Sequence, residues 1–267
     1  MLSKLLALSL LGFTLAHEEH CTRELLQFVT DSYIQAQTLG DPSIIAQNPD
    51  VPYTEDFRSI SVRNSVLTTP LQIAHNRSLL DTTQCATYTE LIVTDPKNPR
   101  VIGTQIRLDE HAENIIKIET LVTKEGDWAF NASLTYQYAS RETANGWWFT
   151  IPKEDQDTRA TIQAAADAYL DLFNNKSVVV PWGTPCNRLE GSWYTGNFSL
   201  TDSCNVGVPS GVPITNRRYV IDETLGTVDA FVLFGSRPDS HEFRVEKGKL
   251  RLVHTLTVMR NGTFFGA

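Results

Sequence analysis

An internal repeat constrains the fold of this chain more than any other feature of its sequence. The segment Asp31-Ser-Tyr-Ile recurs as Asp167-Ala-Tyr-Leu after 136 residues. The segment Ile118-Glu-Thr-Leu-Val recurs as Val253-His-Thr-Leu-Thr after 135 residues. Two matches in the same order, at almost the same offset, indicate a duplicated structural unit. The sequence therefore predicts two similar units in tandem.

Each unit begins with a helical pattern and continues with strands. In segments 23–39 and 158–174, apolar residues recur at steps of three and four, which is typical of an amphipathic helix. Apolar or alternating runs between turn residues predict the strands 87–94, 101–108, 115–123, 217–222, 227–234, 240–246 and 249–258. The pattern lapses between residues 137 and 157. We therefore predict an α+β protein with units at 17–140 and 157–267.

The last predicted hairpin allows an inference about chemistry. With Lys247-Gly248 as a two-residue turn, His241 faces His254 on the neighbouring strand. Because side chains alternate along a strand, both imidazoles would then point into one apolar hollow. The opposite face would be exposed to solvent, because it carries the charged side chains Arg244, Glu246, Lys249 and Arg251.

A pair of inward imidazoles is a candidate catalytic site. The ordinary pKa of histidine, near 6.5, suits the transfer of protons to and from carbon without a cofactor. We therefore name His241 and His254 as candidate catalytic residues and expect no cofactor or metal. Two other interpretations stay open: hydrogen-bonded core histidines, or a metal site completed by Asp202, Asp222 or Asp239.

The stretch 182–194 is rich in turn formers and aromatic residues. If a Cys186–Cys204 bridge closes this region over a pocket, Arg188, Trp193 and Tyr194 become candidate substrate-binding residues. Alternatively, the bridge fixes an ordinary surface loop.

The sequence also predicts export. Lys4, an apolar run and Ala16 have the layout of a signal peptide over residues 1–16. An even number of cysteines in a secreted chain favours two disulfides, and of the three pairings we favour Cys21–Cys85 with Cys186–Cys204. Five sequons predict N-glycosylation at Asn76, Asn131, Asn175, Asn197 and Asn261.

Several motifs resemble those of a family of secreted fungal proteins of unknown function (DUF8021). They include Val180-Pro-Trp-Gly-Thr-Pro-Cys-Asn-Arg-Leu-Glu-Gly, Asp202-Ser-Cys-Asn-Val-Gly-Val-Pro-Ser-Gly and Pro238-Asp-Ser-His-Glu-Phe-Arg. This resemblance implies a fungal source and a secreted domain, with no established activity. The plan of one helix on a curved antiparallel sheet resembles the cone-shaped domains of nuclear transport factor 2, which include SnoaL-like polyketide cyclases and ketosteroid isomerases. That resemblance implies a pocket inside each cone.

Charge and missing motifs narrow the function classes. The formal charge of −8 disfavours electrostatic binding of nucleic acid or anionic lipid. The sequence contains no nucleophile elbow, zincin helix, P-loop or dinucleotide-binding turn. The leading hypothesis is a cofactor-independent isomerase, cyclase or hydro-lyase acting on an apolar fungal secondary metabolite. The alternatives are a non-catalytic protein that binds a small ligand or glycan, and a pair in which one unit is only a structural brace.

Overall fold

The computed structural model describes residues 21–259, so the predicted signal peptide and Asn261 lie outside the described residues. Within this range the protein is a mixed α+β structure. The helices are α1 (Arg23–Leu39), α2 (Ala132–Ala144) and α3 (Arg159–Leu172). The first six strands are β1 (Tyr53–Glu55), β2 (Arg58–Ile60), β3 (His75–Asp81), β4 (Ala86–Val93), β5 (Arg100–Leu108) and β6 (Ile115–Thr123). The other six are β7 (Trp182–Glu190), β8 (Trp193–Tyr194), β9 (Ile214–Asp222), β10 (Thr227–Phe234), β11 (Arg237–Glu246) and β12 (Lys249–Thr257).

The two predicted helices are confirmed, and their ends have ordinary physical causes. The Thr22 hydroxyl accepts a hydrogen bond from the Leu25 amide, and Thr158 caps α3 in the same way. Helix α1 ends at Gly40, which takes a left-handed conformation with φ of 67°. Helix α2 lies across the predicted seam between the units, where the sequence pattern gave no helix.

The repeat is visible in the sheet topology. One six-stranded sheet has the order β2-β1-β6-β5-β4-β3, and the other has the order β8-β7-β12-β11-β10-β9. In both sheets the first strand runs parallel to the last strand of its unit, and the remaining pairs are antiparallel. The same connections therefore occur twice, as two tandem units require.

The predicted register of the last hairpin is wrong. A β-bulge places Arg251 as an extra residue in β12, so that His241 pairs with Thr255 while His254 pairs with Glu242. A slip of one residue moves every later side chain to the other face. The two histidines consequently lie on opposite faces of the sheet and form no pair. Arg244, predicted to be solvated, is buried.

Each sheet has a helix on one face and the other sheet on its opposite face. Leu26 and Tyr33 of α1 pack on Ile102 and Ile118 of the first sheet. Helix α3 covers the second sheet in the equivalent way. A third apolar cluster lies between the two sheets, on the faces that the helices do not cover. It contains Leu79, Tyr88, Leu121, Val220 and Phe231. Each unit therefore has its own core, and an apolar interface between the sheets joins the two units.

Reciprocal ion pairs fix the two units against each other. Arg23 donates to both carboxylate oxygens of Asp222 at 2.6 and 3.1 Å, and Arg159 donates to both oxygens of Asp81 at 2.7 Å. Asp222 also accepts from the Leu80 amide, and Asp81 accepts from the Ile221 amide. The two sets occupy equivalent positions of the repeat, which is the pattern of a two-fold interface within one chain.

Both favoured disulfides are present, joining Cys21 to Cys85 and Cys186 to Cys204. Two such bridges indicate an oxidising extracellular or secretory environment. Among residues 21–259, none of the helices has the length and apolar character needed to cross a bilayer.

Candidate functional site

The second unit contains a cavity of ≈ 160 Å³ on the helix side of its sheet. Strands β7, β11 and β12 contribute its buried end, and the segment 205–213 contributes one wall. Its lining residues are Trp128, Phe173, Arg188, Glu190, Trp193, Gly207, Pro209, Phe234, Asp239, His241 and Thr257.

Asp239 and His241 form a dyad at the buried end of this cavity. They are two residues apart on β11, so alternation along the strand places both side chains on the same face. Asp239 Oδ1 lies 2.7 Å from His241 Nδ1. Asp239 Oδ2 accepts a 2.7 Å hydrogen bond from the Thr257 hydroxyl, which fixes the carboxylate. Because the carboxylate lies beside Nδ1, Nε2 is the ring nitrogen left for a ligand.

The surroundings of the dyad set its protonation. Burial alone would lower the pKa of His241, but the Asp239 carboxylate outweighs burial, and the pKa of His241 is raised above its ordinary value. Burial also raises the pKa of Asp239. The two groups therefore titrate as a coupled pair. An imidazole beside a carboxylate is a stronger base than a free one, which suits the removal of a proton from carbon.

A second chain of hydrogen bonds lies beside the dyad. Arg188 Nη1 donates to the Tyr169 hydroxyl at 3.2 Å, and that hydroxyl donates to Glu190 Oε1 at 3.4 Å. The Thr255 hydroxyl donates to the other Glu190 oxygen at 3.0 Å. The Tyr169 ring also lies 5.7 Å from the His241 ring, which packs the imidazole in place. Arg188 thus lines the cavity, with much of its hydrogen-bonding capacity committed to the protein.

The wall formed by residues 205–213 is anchored at several points. Arg188 Nη2 donates to the Val206 carbonyl, and Lys176 Nζ donates to the Val208 carbonyl at 2.8 Å. The Val212 amide donates to the Phe173 carbonyl at 3.1 Å. The Cys186–Cys204 bridge ties the start of the wall to β7. These contacts attach the wall to β7 and to the residues that follow α3.

Removing this bridge tests whether it shapes the cavity. We expect Cys186→Ala with Cys204→Ala to lower the free energy of unfolding by about 3 kcal/mol, the loop-closure value for a ring of this size. We also expect at least a tenfold loss of ligand affinity, because the wall then has more freedom. The measurements are urea denaturation and calorimetric titration. Affinity equal to that of the wild type would show that the bridge only stabilises a surface loop.

Among the described residues 21–140, the first unit has no equivalent dyad. Pairing across its sheet places Thr104 where the second unit has His241, and Ile102 where it has Asp239. The equivalent of Glu190 is Glu55, whose carboxylate accepts a 2.7 Å hydrogen bond from the Val66 amide. Gln37 of α1 donates to the carbonyls of Val66 and Thr69. The segment 66–69 therefore lies against Glu55 and Gln37, the equivalents of the cavity-lining residues Glu190 and Phe173.

The other predicted catalytic residue, His254, belongs to a buried cluster between the two sheets. Its Nε2 lies 2.7 Å from Glu142 of α2, and its Nδ1 lies 3.1 Å from Arg77 Nη2. Arg77 donates to both oxygens of Glu242, at 2.8 and 2.5 Å, and to Glu90 at 3.2 Å. Tyr194 donates to Glu142 at 2.9 Å. His254 and Tyr194 therefore lie away from the cavity, whereas His241, Arg188 and Trp193 line it.

The charges of this cluster nearly balance when His254 is protonated. Burial alone would lower the pKa of His254, but Glu142 and Glu90 together outweigh burial, and the net pKa rises to about 9. Burial alone would raise the pKa of Glu90, but Arg77 and His254 together outweigh burial, and the net pKa falls to about 2. On its own, the contact between Arg77 and His254 Nδ1 would favour a neutral imidazole, whose Nδ1 can accept the hydrogen bond. Three carboxylates facing a single guanidinium favour the imidazolium more strongly.

The cluster also has the donor set of a metal site. Oxygen and nitrogen atoms of Glu90, Glu242 and His254 lie close enough together to hold one ion. Arg77 Nη2, however, already lies 3.2, 2.5 and 3.1 Å from those three side chains. The guanidinium holds the position that an ion would need, so these residues suit a charge-balanced structural network better than a metal centre.

A larger groove, of ≈ 470 Å³, lies on the first unit between α1, the segment 44–52 and the β5–β6 hairpin. Of the described residues that line it, Glu113 alone is charged. Although this groove is larger than the cavity of the second unit, it is therefore not a better candidate for proton-transfer chemistry.

Sequence reasoning missed Asp239 as the partner of His241, together with the roles of Tyr169 and Thr257. The sequence did contain a signal for this pair, the pattern Asp-x-His on one strand, because residues two apart on a strand point to the same face.

Four of the five sequon asparagines, Asn76, Asn131, Asn175 and Asn197, are described and exposed.

Comparison with known proteins adds one finding. Residues 155–257 match the model of a family described as a domain of unknown function (DUF8021). The match runs from just before α3 to the end of β12 and includes the Asp239–His241 dyad. No curated protein matches the chain. The predicted resemblance to that family is supported over the second unit.

Proposed function

We propose that this protein is a secreted, N-glycosylated, cofactor-independent isomerase, cyclase or hydro-lyase that acts on an apolar fungal secondary metabolite. The observation that carries the proposal is the Asp239–His241 dyad at the buried end of a cavity with aromatic walls. A base with a raised pKa in an enclosed site is the arrangement expected for proton abstraction next to a carbonyl.

The chemistry follows from the position of the free imidazole nitrogen. His241 Nε2 takes a proton from a carbon next to the substrate carbonyl, and the electron pair of that C–H bond moves onto the carbonyl oxygen as an enolate. Asp239 stabilises the resulting imidazolium. Arg188, which lines the same cavity, stabilises the enolate charge. The imidazolium then returns the proton to another carbon in an isomerase, or to a departing hydroxyl group in a hydro-lyase.

The proposal includes the wider setting of the protein. Each unit would be a cone of the nuclear transport factor 2 type, the first serving as a brace because Thr104 and Ile102 stand where the second unit has the dyad. Two disulfides and four exposed sequons support export through a signal peptide at residues 1–16 and release as a glycoprotein. A small apolar metabolite would be the partner, with neither nucleic acid nor a membrane anchor involved.

One observation favours a second function, the non-catalytic binding of a glycan or small ligand. Trp193 is 61% exposed at the cavity mouth, with Trp128 also in the lining. Exposed aromatic rings of this kind give ligands a flat surface for packing, whether or not a reaction follows.

Hydrogen–deuterium exchange distinguishes the two functions. We expect the wild-type protein to catalyse deuterium incorporation from D₂O at the carbons next to the carbonyl of 4-methylcyclohexanone, a ring-sized ketone. Proton NMR would measure the rate against buffer and against heat-denatured protein. Binding without any exchange above buffer would contradict the enzyme proposal and favour the binding protein.

A further inference from the structure

We infer that the ligand of this cavity is amphipathic, with a ring-sized polar head inside the cavity and an apolar tail that lies outside it along Trp193. The inference rests on the proposed site but not on catalysis, because it concerns which molecules the site can hold.

The size of the cavity sets the first limit. A volume of ≈ 160 Å³ accommodates about one six-membered ring, since a cavity of roughly 150 Å³ binds benzene. Sites that enclose drug-sized ligands measure about 300 Å³ or more. A metabolite larger than one ring must therefore extend beyond the mouth.

The cavity also changes character along its length. Asp239, His241 and Thr257 are buried and supply the polar groups of its inner end. At the outer end Trp193 is exposed, and so are Gly207 and Pro209 of the wall. A head with a carbonyl or hydroxyl group fits the inner end, and hydrocarbon fits the outer end.

Apolar surface continues beyond the mouth. Trp193 is 61% exposed, and Val206, which precedes the lining residue Gly207, is 45% exposed. Exposed large apolar side chains in a pocket lining, or next to it in the chain, offer surface that a ligand can cover. The wall is held by Arg188 and Lys176, so covering it requires little further ordering of the protein.

A homologous series of ligands tests the inference. The probes are 4-methyl-, 4-propyl- and 4-pentylcyclohexanone, in which the alkyl chain points away from the carbonyl and so towards the mouth. We expect the dissociation constant to fall about twofold per methylene, half of the effect of full burial. The pentyl compound should therefore bind about fifteenfold more tightly than the methyl compound, as measured by isothermal titration calorimetry.

Variants of exposed aromatic residues show which surface produces the gain in affinity with chain length. Trp193→Ala should reduce the gain from methyl to pentyl to less than about threefold, whatever its effect on the affinity for the methyl compound. Phe149→Ala is the matched control, because Phe149 is 64% exposed and does not line the cavity. It should keep the full gain.

The outcomes separate the inference from the proposed function. Equal affinity across the series, no binding of the pentyl compound at 1 mM, or an unchanged gain in Trp193→Ala would each overturn the amphipathic ligand, even if deuterium exchange is catalysed. A chain-length gain that depends on Trp193, without any exchange, would support the inference and count against the enzyme.

Discussion

Replacing His241 by asparagine is expected to lower the rate of deuterium exchange into 4-methylcyclohexanone by at least about a hundredfold, the usual contribution of a general base. Asparagine keeps a polar group beside Asp239 but cannot accept a proton from carbon at neutral pH. We expect ligand affinity to change much less, because aromatic residues make up much of the cavity lining. NMR exchange rates and calorimetric affinities, measured on the same samples, separate the two quantities.

His111→Asn is the matched control, since the side chain of His111 is mostly exposed and far from β11 in the chain. It should exchange at the wild-type rate. Urea denaturation of both variants checks that the fold is retained. If His241→Asn keeps more than about a tenth of the wild-type rate while folded, His241 is not the base.

The pH profile gives this prediction a second readout. The neutral imidazole is the active base, so the rate should rise with pH through the pKa of His241. Asp239 raises that pKa. In Asp239→Asn the carboxylate is gone, so the pKa of His241 should fall and the rising limb should move to lower pH, with a lower maximal rate. A role of Asp239 in packing alone would leave the position of the limb unchanged.

Much of the fold was predictable because the signals are local. The apolar stripe of 158–174 and its cap at Thr158 specify α3 without reference to any distant residue. Strands such as β10 and β6 were found because apolar runs end at turn residues. The duplication was detectable because equivalent positions in the two units have similar surroundings and therefore hold similar residues. Strands β1, β2 and β8 are very short and depend on pairing with neighbours, so the sequence alone did not indicate them. Strands β3 and β7 are longer, and the sequence analysis missed them as well.

The candidate site was only half predictable, and one residue accounts for much of the error. The extra residue Arg251 makes the bulge that sends His254 to the opposite face from His241. A bulge changes the alternation of side chains without changing composition, so a pattern of period two does not locate it. A bulge at Ile116 in the equivalent hairpin shows that it belongs to the repeated unit. The pairing of His241 with Asp239, in contrast, needs no long-range register.

The contacts between the two units lay beyond sequence reasoning. Arg77 and Glu242 meet across 165 residues of chain, and Arg23 and Asp222 across 199. Each appears in the sequence as an ordinary charged residue on a strand or helix. Only the packing of one sheet on the other brings them together, and nothing in local patterning specifies that packing.

The second large effect is expected from Arg77, at the centre of the buried cluster. Arg77→Met should lower the free energy of unfolding by about 3–5 kcal/mol, because three carboxylates lose the guanidinium that balances them. Arg77 also packs on Trp148, with its guanidinium carbon 3.7 Å from the ring centre. Methionine keeps much of that apolar contact, so the loss reports mainly on charge. Urea denaturation measures it.

Two further variants make this interpretation specific. Arg63→Met changes an exposed arginine and should cost less than about 0.5 kcal/mol. In the double variant Arg77→Met with Glu242→Leu, the most closely paired carboxylate is also removed. Stability should therefore recover by at least about 1 kcal/mol relative to Arg77→Met alone. A single variant that loses less than about 1 kcal/mol would show that the cluster does not need its guanidinium.

The cluster should also determine how the stability of the wild-type protein depends on pH. The pKa of His254 is raised to about 9, so its stabilising contribution is complete below about pH 6.5 and is lost as the pH rises through 9. The pKa of Glu90 is lowered to about 2, so its contribution is complete above about pH 4.5 and is lost as the pH falls towards 2. Arg77 is the main cause that lowers the pKa of Glu90. In Arg77→Met the acid loss should therefore begin at higher pH than in the wild type, whereas an unchanged acid limb would contradict the role assigned to this ion pair.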